Sequence, residues 1–112
     1  MVVYTFKEKI RIKKETLDED VLAEIIGLAE DEVYRRFIDM VSGRYVGFIV
    51  DSEVYVRDLN DECILDINLV MDVDISPLSE KIAEQDRIVE ELAGVYFGVI
   101  KREVLKLLGH DY

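Results

Sequence analysis

Three aspartates, Asp66, Asp72 and Asp74, stand in one alternating run of the chain. On a strand, Asp72 and Asp74 point the same way, about 7 Å apart. Paired carboxylates of this kind suit hard cations such as Mg²⁺ or Ca²⁺. However, the run has no glycine-containing ligand loop, and side chains on a flat sheet converge poorly on one ion. A solvated or salt-bridged strand face is therefore the reading adopted, with no metal and no cofactor expected. His110 is the only histidine, so neither a histidine-based triad nor a zinc site can be assembled within one chain. Cys63 falls on the apolar side of the same run and reads as a core residue, not a nucleophile. Phosphate-cradling glycine loops are absent from the sequence. No catalytic residue is assigned, and the chain is not expected to be an enzyme.

Two other features are suited to contact. Lys7, Lys9, Arg11 and Lys13 alternate with apolar residues near the start of the chain. They form a basic strip that an acidic strand, another subunit or an anionic ligand would neutralise. Gly94 and Gly98 form a G-x-x-x-G with Val95 and Phe97 between them. Each glycine costs a helix about 1 kcal/mol, so a pair suggests close approach to the backbone. Residues 92–100 carry no charge and are apolar on every side, so either the first helix or another subunit must cover them. Gly94, Val95, Phe97 and Gly98, together with the basic strip, are the candidate interaction surface. Tyr45, Tyr55, Arg44 and Arg57 form an ordinary mixed surface beside them.

The elements that would position these residues follow from periodicity. Residues 2–13 place Val2, Tyr4, Phe6, Ile10 and Ile12 on one side, as in a half-buried strand. Glu8 interrupts that side, so a bulge or a later start near Lys9 is expected. Thr16 to Glu19 reads as a capping box. The helix that follows, over roughly 17–41, carries Leu22, Ile25, Ile26, Ala29, Val33 and Phe37 at helical spacing and ends at Ser42-Gly43. Residues 44–50 and 53–58 are β-rich around Asp51-Ser52, which suits a tight hairpin. After a turn at 59–61, residues 62–75 place an apolar residue at every second position, Cys63, Leu65, Ile67, Leu69, Met71, Val73 and Ile75, on one face. The other face holds Glu62, Asp66, Asn68, Asp72 and Asp74, with Ile64 and Val70 among them. A slip of one residue would expose the whole of the first set. The last helix starts near 78, after Ser76-Pro77, or near 86 with Asp86 as cap, and runs to about 108.

The expected class is α+β, in the order β-α-β-β-β-α, with a mostly antiparallel sheet and two long helices on one face. The first strand pairs best with the long fourth strand, whose acidic outer face would lie beside its basic one. The right-handed alternative sets it beside the second strand.

At 112 residues and a net charge of −11, the chain reads as one domain, residues 1–112, large enough to fold without a staple. Residues 1–14 hold five bases against one acid, +4, which leaves −15 on the remainder. Such acidity argues against a duplex nucleic-acid partner. The longest uncharged run, nine residues, is far too short to span a bilayer. A single cysteine fits a reducing compartment. A cytoplasmic, non-catalytic protein that works through protein contact, with itself or a partner, is expected; the alternative is a module binding RNA or another anion through the basic strand.

The order of elements, and the segment running from Leu65 through Val70, Asp72 and Ser76-Pro77 to Leu78, resemble a family of small archaeal proteins of unknown function. The resemblance spans roughly residues 17–108 and implies an α-β-β-β-α core. A weaker likeness, in Glu8 to Ile12 and Val21 to Ala29, is to the bacterial alkaline-shock-protein family, which usually has another strand after its last helix. Neither family implies catalytic residues.

Overall fold

A run that alternates as strictly as residues 62–75 has one face that water must not see, and the fold is arranged to cover it. The computed structural model describes residues 2–13, 18–41, 45–75 and 82–107. They form β1 (Val2–Lys13), α1 (Glu19–Val41), β2 (Tyr45–Leu59), β3 (Glu62–Ile75) and α2 (Ile82–Leu107). The sheet order is β1-β3-β2, so the most apolar strand is central and antiparallel to both neighbours. Both helices lie on one face, giving the α+β class expected, in the order β-α-β-β-α.

The strand count differs from the expected one. No hairpin forms at Asp51-Ser52; both residues stay in the ladder, opposite Val70 and Leu69. A turn there would leave half of β3 without a partner. The local polarity that suggests a turn is used otherwise, because Asp51 Oδ1 accepts the Ser52 N–H at 3.0 Å within the extended strand. The true reversal is at Asn60-Asp61. There Asn60 takes a left-handed conformation, φ 55°, which asparagine tolerates in a tight hairpin.

β1 lies beside β3, as its charge pattern predicts, and is unbroken from Val2 to Lys13. Glu8 makes no bulge. Its carboxylate sits on the helix-facing side of an edge strand, where the Lys101 ammonium of α2 pairs with it. α1 begins at Glu19, two residues later than the periodicity suggests. Asp18 is its cap: Oδ1 accepts the Asp20 N–H at 2.9 Å and its carbonyl accepts the Leu22 N–H. Thr16, Ser42-Gly43 and Ser76-Pro77 lie outside the described residues.

Cys63, Leu65, Ile67, Leu69, Met71 and Val73 of β3 are buried, against Ile25, Ala29, Val33 and Phe37 of α1 and Val89, Leu92, Tyr96 and Ile100 of α2. Phe37 stacks on Phe48 of β2, with ring centroids 3.9 Å apart. Among the described residues, none forms a layer over the opposite face of the sheet. Leu69 is fully buried at the centre of the middle strand, so Leu69→Ala is expected to cost about 2–5 kcal/mol. Urea denaturation measures it as a lowered midpoint at unchanged slope.

Candidate functional site

The open sheet face carries the charges. The register sets Lys9 directly opposite Asp66 and Lys13 opposite Glu62. Arg11 Nη1 is 3.8 Å from the Glu62 carboxylate. From the other side, Arg57 Nε of β2 donates to Asp66 Oδ2 at 2.7 Å. Asp66 is thus flanked by cations from both neighbouring strands and Glu62 by cations from β1, and each exposed pair contributes about 0.2–1 kcal/mol. The basic strip Lys7, Lys9, Arg11 and Lys13 is exposed along this face. Lys7, Lys9, Asp66 and Asn68 also border an open depression of about 520 Å³. An anion placed there would meet the Asp66 carboxylate.

The carboxylates do not converge. Asp66 lies six residues from Asp72, about 20 Å along the strand. Asp72 stands between Val3 and Ile49 in the ladder, and its Oδ1 is enclosed without a hydrogen-bond partner. Among the described residues no group of three or more His, Cys, Asp or Glu side chains is placed to hold a metal ion. Cys63 is fully buried with its thiol 3.6 Å from Asp58 Oδ1. His110 and Arg44 lie outside the described residues.

The glycine pair of α2 lies on the exposed side of its helix. Phe97 is buried in the chain's own core and Val95 packs against it, so α1 and the sheet cover the apolar sides of residues 92–100. Gly94 and Gly98 face solvent, and a Cβ added at either would meet nothing within 4 Å. No backbone approaches them among the described residues. Their neighbours on that side are Glu90, Glu91, Lys101 and Arg102, all exposed.

One polar constellation has no periodic signature. Tyr96, fully buried on α2, donates its hydroxyl to Ser52 Oγ at 2.6 Å. Ser52 in turn donates to Glu30 Oε2 of α1 at 2.8 Å. The chain α2–β2–α1 ties both helices to one strand. Burial, helped by the Glu30 charge and opposed by the Ser52 bond, pushes the Tyr96 phenol up to about 12. It therefore stays protonated at neutral pH, as a donor and not a base. The sequence reading gave Ser52 to a turn and Tyr96 to the apolar stripe, so the two were never set together.

These features define a two-layer α+β domain with a covered core, one open charged sheet face and two free strand edges. No helix among the described residues is long and apolar enough to cross a membrane. No family model matches the chain, and no curated protein matches it. Among solved structures, the chain is similar to a crystal structure of a protein from the archaeon Thermococcus onnurineus NA1. The two share 19% identity, with a TM-score of 0.58, over 95% of this chain and 97% of that one. At that identity the likeness shows the fold alone.

The Tyr96 phenol gives a pH signature. Its folded value, about 12, lies above the 10.0 of an unperturbed tyrosine, so the unfolded chain releases this proton first as pH rises. The contribution is complete below pH 10 and is lost between about 10 and 12, amounting to about 2–3 kcal/mol. Urea midpoints of wild type should therefore fall more steeply over that range than those of Tyr96→Phe.

Proposed function

We propose that this is a non-catalytic cytoplasmic protein that acts by protein–protein contact, with a second copy of itself as its first partner. The observation that carries this reading is where the exposed apolar side chains lie. Of nine large hydrophobics exposed among the described residues, four are on β2 (Ile49, Tyr55, Val56, Leu59) and three on α1 (Leu28, Tyr34, Ile38). α1 packs over the helix-facing side of β2, through Tyr34 and Glu30, where Val56 lies. Ile49, Tyr55 and Leu59 lie on the open face of the same strand, so the exposed apolar side chains collect along the β2 flank on both faces of the sheet. Concentration of this kind marks a contact surface, whereas single scattered residues do not.

The ion pairs support the same reading, because the basic strip faces acids of its own sheet. The similar archaeal fold supports placing the chain in a small archaeal family with this α+β core. Sedimentation equilibrium at about 1–100 μM tests the proposal. A species of twice the 13.0 kDa chain mass is expected across that range. A monomer throughout would sink self-association, and salt-sensitive RNA binding lost in a K7E/K9E/K13E variant would replace it with the anion-binding reading.

A further inference from the structure

We propose that two copies of this chain join edge to edge through β2, antiparallel, on a two-fold axis passing beside Tyr55. The inference rests on the self-association reading above and names its surface and register.

Among the described residues, β2 is hydrogen-bonded to a strand along one side only, that of β3. In an antiparallel ladder successive N–H groups point to alternate sides. The Val50 N–H leaves the sheet to reach Tyr34 Oη at 3.0 Å, and the Ser52 N–H turns to Asp51 Oδ1. The even-numbered amides of β2 therefore point outward, and side chains cap the first part of that edge. Val54 and Val56 come next. Tyr55, between them, is 56% exposed and Val56 41%.

Charge and the capped amides together then select the register. With the axis at Tyr55, Glu53 of each chain stands opposite the partner's Arg57, twice over. Val54 and the partner's Val56 exchange N–H···O=C bonds, and Tyr55 lies against the partner's Tyr55. Arg57 then lies between Asp66 of its own chain and the partner's Glu53. An axis at Glu53 would oppose two glutamates. An axis at Val54 would match charge as well, setting Asp51 opposite the partner's Arg57, but it would pair Val50 with the partner's Asp58 and displace the Tyr34 cap. The other free edge is unsuited, because antiparallel pairing across Lys7–Lys13 of β1 sets cation against cation. The helix leaves room above β2. Ala23 and Gly27 precede Glu30 and Tyr34 on the same flank of α1, and a Cβ at Gly27 would meet nothing within 4 Å.

Covalent capture and charge exchange test this. Residues facing each other across the axis have Cα atoms about 4.5 Å apart, within disulfide range. Y55C should therefore become a covalent dimer under mild oxidation. Wild type, whose Cys63 is buried, and G98C should not. E53R and R57E, alone, should each weaken self-association by about tenfold or more, and mixing them should restore it as a heterodimer with opposite charges at both sites. If wild type is dimeric but Y55C does not cross-link and the mixture does not recover, the edge register is wrong while self-association stands. A monomeric wild type removes both.

Discussion

The structure depends on the central strand having one face that must be buried and one that need not be. Six side chains of β3, from Cys63 to Val73, are buried, and a three-stranded sheet is wide enough for two helices to cover them. Every other feature adapts to that constraint. β1 and β2 take the two flanks of β3, so each keeps a free edge. Both helices lie on one side of the sheet, so the other face keeps its charges. Exposed opposite charges add little stability singly. Set in three adjacent rows, however, they oppose a slip of register that would bring Lys9 away from Asp66.

Much of this was legible in the sequence, for a physical reason. Strict alternation over fourteen residues leaves few structures open to β3, and the basic outer row of β1 matches its acidic outer row. Pairing of the first strand with the last therefore followed from charge, without any local signal. The helices followed from apolar spacing. What failed was punctuation. Asp51-Ser52 has the residue types of a turn, but Asp and Ser bond equally well to their own strand's amides when that strand is an edge. α1 starts two residues late because Asp18, itself a good cap, lies between Thr16 and Glu19 and the sequence ranks neighbouring caps only weakly.

The candidate surface was less legible than the fold. The G-x-x-x-G of α2 suggests close approach by a backbone; within the described residues none reaches Gly94 or Gly98, while the apolar residues between them pack into the core. Periodicity could not distinguish these outcomes, since residues 92–100 are apolar on all sides. The Tyr96–Ser52–Glu30 chain was invisible for another reason. Its members are 44 and 22 residues apart and meet only when strand and helices are placed together. A half-buried serine on the helix-facing side of a strand needs such partners. Its position among Val50 and Val54 was the signal available in the sequence.

The two free edges show how one sheet handles opposite risks. Unpaired strands invite any extended chain, and proteins commonly blunt them with charge, above all lysine. β1 does this along its length, with lysine or arginine at every outward position from 7 to 13. β2 instead mixes signs, Asp51 and Glu53 against Arg57, and leaves Tyr55 and Val56 exposed. Its blunting is local: Tyr34 and Asp51 take the outward amides at Val50 and Ser52 and stop there. An edge protected over part of its length, with opposite charges on the remainder, does not repel every partner. It favours a strand that brings the same charges in reverse order, and an antiparallel copy of β2 does so.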